Sequence, residues 1–299
     1  MAFSMQTIVI LFSAVFIIIL NSNIVEPITF FKHGDIPILG RADSYQRSIY
    51  KMEKPLTSRD HDANPGQFPW MVSIHIIQID NDDQYFHCGG SIISNRWVLT
   101  AAHCMKQSER ILVMFGDVNR AHADYNSYQG PGFAMIGPHV FSHPYWDGHQ
   151  ENDIALLYMP EDIPFGPTVQ PIKLSGHMDT YKSYSGKQAL IMGWGLNGTG
   201  RETTILQYGF LPIISIEMCY ISGYITSDTL CTAANTGLDA CPGDSGGPLI
   251  VYSQNYNCYI QIGVVRAGVN KHCPSAYPGF YTRIDSHYLW IQKITGILF

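Results

Sequence analysis

A glycine-rich stretch, DACPGDSGGPL from Asp239 to Leu249, most constrains what this chain can fold into. Its glycines and prolines disfavour both a helix interior and a central strand. They favour a tight loop that presents one hydroxyl group, that of Ser245. The backbone amides of Gly243 and Ser245 can point into one small space, where an oxyanion could be bound. Since a serine hydroxyl needs a base to remove its proton, the rest of the sequence must supply that base.

Two upstream motifs supply a base and a residue to orient it. LTAAHC places His103 among small residues, directly before a cysteine, and NDIALL places Asp153 at the start of an apolar run. Together with the serine loop, these motifs resemble those of the trypsin/chymotrypsin family of serine proteases. The resemblance extends from about Ala63 to about Lys293 and implies that His103, Asp153 and Ser245 are the catalytic residues.

The order of the three residues along the chain separates this family from other hydrolases. GDSGG also matches the G-x-S-x-G pattern of α/β-hydrolases, but that fold needs the order serine, acid, histidine. After Ser245 the histidines are His272 and His287, and Asp285 is too close to His287 for that fold. The subtilisin order would need an acid before His103, with no supporting motif. The observed order is that of chymotrypsin.

The resemblance implies an all-β fold of two packed six-stranded antiparallel β-barrels, with the active site between them. Runs such as Trp70–Ile77 and Ile111–Phe115 are β-rich. The proline-rich stretch 159–171 is the natural connection between the halves, because proline lacks the backbone donor that a central strand needs. Helical spacing within Ser286–Ile297 predicts a short C-terminal helix.

Composition and net charge indicate which classes of molecule this protein is unsuited to bind. The chain has 299 residues, 14% of them charged, and a net charge of −6 without a basic run. We therefore expect no nucleic acid as a partner. The resemblance to serine proteases implies protein or peptide substrates, with protein inhibitors as candidate further partners. The polar loop Gln78–Gln84 lacks the glycine and glutamate of an EF-hand, so it is interpreted as a solvated hairpin loop. No metal or organic cofactor is expected.

The N-terminal region predicts secretion. Ile8–Leu20 is an almost unbroken apolar run, shorter than the ~20 residues that span a bilayer and typical of a signal peptide. We expect a signal peptide over residues 1–23, a pro-segment or poorly ordered tail over 24–56, and the protease domain over 57–299. The mature protein would be extracellular and free of the membrane; an uncleaved anchor is the alternative.

Seven cysteines fit an extracellular protein with disulfides. Their spacing alone leaves the connectivity open. Cys258 is left over from the pairing that the resemblance implies, as a buried free thiol or an intermolecular link. The sequon at Asn197 is a candidate glycosylation site. The implied bridges are Cys88–Cys104, Cys219–Cys231 and Cys241–Cys273.

The resemblance also implies a substrate pocket for a basic residue. Asp239 lies where an acid selects Arg or Lys in trypsin-like members, through a charge-assisted contact; a solvated loop acid is the alternative. Gly268 and Gly279 match the pocket walls. The family usually has Ser-Trp-Gly where this chain has Arg266, Ala267 and a glycine. An aromatic wall is therefore missing, and Arg266 could approach either Asp153 or Asp239.

Asp244 carries the chemistry of activation in the family. Its carboxylate pairs with the N-terminal ammonium that cleavage releases, and this pairing shapes the oxyanion hole. The family has Ile-Val-Gly-Gly where this chain has Thr-Ser-Arg-Asp, residues 57–60, after Leu56. These residues would bury less apolar surface, and Arg59 and Asp60 would have to lose hydration. An unusual cleavage or a zymogen-like state is therefore expected.

The sequence thus predicts a secreted serine endopeptidase that cleaves after Arg or Lys through an acyl-enzyme. The alternative is a non-catalytic, zymogen-like homologue that acts by binding other proteins.

Overall fold

The fold is described from a computed structural model, and several segments lie outside the described residues. One of these segments is residues 1–60, which contains the predicted signal peptide, the pro-segment and the activation sequence. Ala267, Gly268 and Cys273 also lie outside the described residues. The described residues are 61–78, 84–124, 127–179, 182–197, 201–220, 225–234, 236, 238–266 and 276–298.

The regular secondary structure of the described residues is mostly β-strand, with only two short α-helices. The helices are α1 (Ile216–Tyr220) and α2 (Tyr288–Thr295). The strands are β1 (His61–Asp62), β2 (Met71–Gln78), β3 (Gln84–Ile92), β4 (Trp97–Thr100), β5 (Ser108–Phe115), β6 (Phe133–Ile136), β7 (His139–Ser142), β8 (Ala155–Tyr158), β9 (Lys173–Leu174), β10 (Gln188–Gly193), β11 (Gln207–Pro212), β12 (Thr229–Thr232), β13 (Pro248–Ser253), β14 (Cys258–Val265) and β15 (Gly279–Arg283).

The first sheet curls round on itself. Its seven strands follow the order β6-β5-β2-β3-β4-β8-β7, and the two strands at its edges, β6 and β7, are separated in sequence by Gly137 and Pro138 alone. Gly137 has a φ of 75°, and Pro138 has no backbone N–H to donate, so the strand breaks at this point. Counting β6 and β7 as one interrupted strand gives the six strands that were predicted.

The second sheet contains the other six principal strands. Its order is β1-β11-β10-β13-β14-β15-β12, and β9 pairs in parallel with β14. β1 and β9 are two residues long and extend the sheet without changing its core. An isolated bridge between Ile213 and Thr232 joins the end of β11 to β12, so this sheet also curls round. The all-β, two-barrel fold is confirmed.

Alternating apolar residues build the core of each barrel. On β2, Val72, Ile74 and Ile76 are fully buried inside the first barrel, because successive strand residues point to opposite faces. A second cluster combines residues of both sheets, including Leu112 of β5 and Ile250 of β13. The barrels therefore pack through a shared apolar interface.

The C-terminal helix is also confirmed. α2 buries Ile291 against the core of the first barrel, as its helical spacing predicts. It ends at Gly296, whose φ is 73° and whose N–H donates to the carbonyl of Gln292, which is the usual left-handed end of a helix.

We expect Ile74→Ala to lower the free energy of unfolding by about 2–5 kcal/mol, because it leaves a cavity in a closely packed barrel. Ile136→Ala is the matched control, since that side chain is 43% exposed, and we expect a change within about 0.5 kcal/mol. Denaturant unfolding followed by tryptophan fluorescence measures both. Equal losses in the two variants would contradict the described packing.

Candidate active site

The pairing of two strands brings His103 and Asp153 together. β4 and β8 pair with Thr100 opposite Ala155, so the residues just beyond these positions meet at one edge of the first barrel. His103 opens a 3₁₀ turn directly after β4. Its Nδ1 lies 2.6 Å from Asp153 Oδ2, and its backbone N–H donates to Asp153 Oδ1 at 2.8 Å. The Asp153 side chain is 1% exposed, so its carboxylate is held away from water.

Ser245 lies on a loop made of two successive tight turns. The N–H of Asp244 donates to the carbonyl of Cys241, and the N–H of Gly247 donates to the carbonyl of Asp244, both at 2.9 Å. Across the junction between the barrels, the N–H of Gly89 donates to the Ser245 carbonyl at 2.7 Å. The loop is therefore tied both to itself and to the first barrel.

The backbone amides of Gly243 and Ser245 are available to an external acceptor. Within the described part of the chain, neither N–H donates a hydrogen bond, and both residues are half-buried. Gly243 has a φ of 94°, and a Cβ at this position would lie 2.9 Å from the Gly195 Cα. Glycine is therefore required here by both conformation and space.

Ser245 and His103 are not hydrogen-bonded to each other in the described structure. The Nε2 of His103 instead lies 3.7 Å from the Sγ of Cys104. Catalytic hydrogen bonds of this kind often tighten only in the substrate complex. Cys88, His103 and Cys104 form a compact group, but the two sulfurs are joined in a disulfide. Neither cysteine can therefore supply the thiolate that a metal ion would need.

Asp244 is held by backbone donors. Its carboxylate is almost fully buried, and its Oδ1 accepts from the N–H of Gly195 at 2.9 Å and its Oδ2 from the N–H of Cys241 at 2.6 Å. The residues that would provide a new N-terminus, 57–60, lie outside the described part of the chain. The carboxylate is thus fixed beside the amides of the serine loop.

His87, which the sequence motifs did not single out, lies beside the same loop. Its Nε2 would be 3.0 Å from a Cβ at Gly243, and its Nδ1 lies 3.3 Å from Nη1 of Arg120. Burial, followed by the positive charge of Arg120, lowers the pKa of His87, although Glu202 and Asp244 oppose this effect. A neutral imidazole therefore lines this side of the loop. In the sequence, the one feature that could have pointed to His87 is its position directly before Cys88.

Asp239 is buried and lies beside a predicted wall of the pocket. It is 7% exposed, which disagrees with the alternative of a solvated loop acid, and its Oδ1 accepts from the N–H of Ala240 at 2.8 Å. A Cβ at Gly279 would lie 3.0 Å from Asp239 Oδ1 and 2.8 Å from Thr232 Oγ1. The missing side chain of Gly279 therefore leaves space next to the carboxylate.

Arg266 pairs with neither Asp153 nor Asp239. Its buried guanidinium instead lies 2.5 Å from Asp228 Oδ1. The pKa of Asp228 is lowered: burial opposes this shift, but the hydrogen bond from His287 and the charge of Arg266 outweigh it. The ion pair with Asp228 holds the Arg266 side chain away from Asp153 and Asp239. No local sequence pattern could predict this pairing.

The cysteines and the sequon are placed as follows. Disulfides join Cys88 to Cys104 and Cys219 to Cys231, and Cys241 is also disulfide-bonded, while its predicted partner lies outside the described residues. Cys258 is a free, half-buried thiol whose pKa is raised by burial. Asn197 is half-buried, and its Oδ1 accepts from the N–H of Arg201 at 3.1 Å.

Comparison with known proteins agrees with this geometry. The family model described as Trypsin matches residues 58–291, which is most of the chain. The chain belongs to the trypsin family. It is a serine endopeptidase, and its substrates are proteins or peptides.

Several relatives of this trypsin-family protease have names that describe proteolysis. A collagenase of Hypoderma lineatum is 30% identical over 263 residues, which cover 86% of this chain and 94% of that protein. Serine protease 1 of Drosophila melanogaster is 31% identical over 236 residues, covering 79% and 84%. A solved structure of HL collagenase superposes with a TM-score of 0.69 at 30% identity, covering 80% of this chain and 98% of that one. The similarity therefore includes both barrels.

None of the helices in the described part of the chain has the length and apolar character needed to cross a bilayer.

Proposed function

We propose that this trypsin-family protease is secreted and cleaves peptide bonds after Arg or Lys, with His103, Asp153 and Ser245 as its catalytic residues. The observation that carries the proposal is the 2.6 Å contact between His103 Nδ1 and the buried Asp153 carboxylate. A buried carboxylate in this contact selects the imidazole tautomer whose Nε2 can accept a proton. The match of the family model over 58–291 is independent support.

The reaction proceeds through an acyl-enzyme. Ser245 Oγ attacks the carbonyl carbon of the scissile bond while His103 Nε2 takes the hydroxyl proton and then gives it to the leaving amine. The amides of Gly243 and Ser245 stabilise the oxyanion, and each such donor contributes about 3–4 kcal/mol. Water, activated by His103, then attacks the acyl group and releases Ser245. Asp153 orients the imidazole and stabilises its charged form throughout.

Asp239 supports specificity for a basic side chain. A carboxylate that is 7% exposed lies in a poorly hydrated place, where a hydrogen bond to a cationic side chain is stronger than in water. The space beside Gly279 admits a long side chain next to that carboxylate. A guanidinium or ammonium at this point would form a charge-assisted hydrogen bond. The predicted second wall, Gly268, belongs to the same proposal and lies outside the described residues.

We expect Asp239→Ser to lower kcat/KM for a peptide with Arg before the cleaved bond. The loss is about 2–5 kcal/mol, or roughly 30- to 4,000-fold, because a buried charge pair loses one partner. Steady-state kinetics on matched Arg and Leu peptides measure the change in preference. Asp162→Ser is the control, since that carboxylate is exposed and pairs with Arg96. An unchanged preference for Arg would exclude Asp239 from the pocket.

Secretion and maturation are supported by the sequence and the disulfides. The apolar run before residue 23 is typical of a signal peptide, and the disulfides of the described chain fit an oxidising compartment. We propose that a pro-segment over 24–56 is removed by an atypical cleavage near Thr57, and that Asp244 receives the new ammonium. Glycosylation at Asn197 belongs to the same proposal.

The decisive experiment labels the secreted protein with a fluorophosphonate and sequences its N-terminus. Labelling at Ser245 with a new N-terminus near Thr57 would support a protease activated by cleavage. Labelling with the pro-segment intact would support a single-chain enzyme and overturn the proposed cleavage. The absence of labelling in folded, disulfide-bonded protein would favour the non-catalytic homologue.

A further inference from the structure

We propose that Arg266 is a positioning residue for Asp153: through its buried contacts it holds the Asn152–Asp153 backbone that presents the carboxylate to His103. The inference rests on the proposed function, since it assigns Arg266 a part in the same reaction. Arg266 itself touches neither His103 nor Ser245 within the described structure, and it acts through its neighbours.

The guanidinium of Arg266 is buried, since only 3% of the residue is exposed, and each of its three nitrogens has a hydrogen-bond partner. Nη2 contacts Asp228 Oδ1 at 2.5 Å, and Nη1 donates to Thr226 Oγ1 and Thr229 Oγ1 at 3.0 Å. Nε donates to Thr282 Oγ1 at 2.8 Å. A lysine has a single nitrogen and cannot reach these partners together, so the network is specific for a planar guanidinium.

Two residues that bond to Arg266 also form hydrogen bonds with the segment that carries Asp153. The hydroxyl of Thr282, which accepts from Arg266 Nε, donates to the backbone carbonyl of Asp153 at 2.8 Å. The carboxylate of Asp228 accepts at Oδ2 from the N–H of Asn152 at 3.1 Å. The dipeptide Asn152–Asp153 is therefore held at its N–H end and at its carbonyl end by groups that Arg266 orients.

The local backbone makes this restraint necessary. Asn152 has a φ of 57°, a left-handed conformation that is uncommon for a residue with a side chain. Its Nδ2 also donates to the carbonyl of Tyr145 at 2.9 Å. Such a conformation persists only when its surroundings determine it, and the Arg266 network supplies part of that restraint.

The same residue also connects the Asp153 segment to the serine loop. Arg266 follows Val265 at the end of β14, where the N–H of Gly246 donates to the Val265 carbonyl and the N–H of Val265 donates to the Gly247 carbonyl, both at 2.9 Å. Gly246 is the neighbour of Ser245. Arg266, through Thr282 and Asp228, thus links the strand beside the nucleophile to the backbone of the acid.

The test compares Arg266→Met with Arg283→Met in the full chain. Methionine keeps the apolar stem in each case. Arg283 is the matched control, because it lies on the adjacent strand, pairs with Asp285 at 2.7 Å and donates to the Lys182 carbonyl at 2.7 Å. These contacts do not include the Asp153 segment.

We expect Arg266→Met to lower kcat at least tenfold while KM changes less than twofold, because substrate binding does not depend on how Asp153 is held. Arg283→Met should leave kcat within twofold. Proton NMR supplies a second readout: the downfield signal of the proton between His103 Nδ1 and Asp153 should broaden or move upfield in Arg266→Met alone. Arg266→Lys, with its charge but a single nitrogen, should give an intermediate kcat.

Unchanged kcat and an unchanged NMR signal in Arg266→Met would overturn the inference, as would equal kcat losses in the two methionine variants. If Arg266→Met does not fold, the double variant Arg266→Met/Asp228→Asn replaces it, because removing both charges avoids leaving the Asp228 carboxylate buried without its cation. The kcat and the NMR signal of this double variant and of Arg266→Lys then test the inference. A wild-type protein that fluorophosphonate does not label would reject the proposed function, whereas the NMR comparison would still test whether Arg266 holds Asp153.

Discussion

Replacing Ser245 with alanine is expected to lower turnover about a million-fold, the loss found when the nucleophile of such a triad is removed. The methyl group cannot form the acyl-enzyme, so the bond would have to be broken by water alone. Residual catalysis from the oxyanion donors and substrate binding would remain, at about a thousand-fold or more over the uncatalysed reaction. Peptide hydrolysis at protein concentrations set by absorbance measures this difference.

The control for this change is Ser127→Ala. Ser127 is exposed, and its hydroxyl bonds to Asp124, so its removal should leave turnover unchanged. The alanine at 245 should not weaken substrate binding, because Ser245 contributes its backbone to the loop through the bond from Gly89. Turnover near the wild-type level in Ser245→Ala would refute the assigned nucleophile.

Asp153→Asn is expected to lower kcat about ten-thousand-fold without unfolding the protein. The carboxylate uses both oxygens, because Oδ1 accepts from the His103 backbone N–H and Oδ2 from the ring. An amide has one oxygen and one NH₂ group, so it can satisfy only one of these donors. With the oxygen on the backbone N–H, the NH₂ faces Nδ1 and favours the tautomer with its proton on Nε2. That tautomer cannot accept the Ser245 proton.

Asp162→Asn is the matched control for this prediction. Its carboxylate is exposed and lies 3.2 Å from Arg96, and surface pairs of this kind contribute little to stability. We expect wild-type kcat in that variant and wild-type circular dichroism in both. A drop in kcat of less than about tenfold in Asp153→Asn would show that the carboxylate does not set the tautomer of His103.

The family could be predicted because short local motifs carry the resemblance, and the resemblance in turn implied the fold. The segments around His103, Asp153 and Ser245 carry them in a specific order, and period-two alternation marks the buried face of β2. These signals depend on neighbours within a few residues, so they can be read without coordinates. The resemblance implied that Asp239 belongs to the substrate pocket but left a solvated loop acid as the alternative, and only the structure shows that the residue is 7% exposed.

The closure of the barrels could not be predicted in detail. The break at Gly137 and Pro138 divides one strand between the two edges of the first sheet, and the bridge from Ile213 to Thr232 joins segments that are far apart in the sequence. Such pairings depend on how the whole sheet curls. Local propensity contains no information about which edge a strand will meet.

By itself, the sequence determined the family and the order of the motifs around His103, Asp153 and Ser245, because these are properties of adjacent residues. The tertiary structure alone decided the position of Arg266. From the sequence alone, Asp153 and Asp239 were the acids that Arg266 could approach. Its partner is instead Asp228, 38 residues away, and that acid is shared with His287, 59 residues further on. Burial decides this choice, because a cation removed from water must be paired with whichever acid the fold brings within reach.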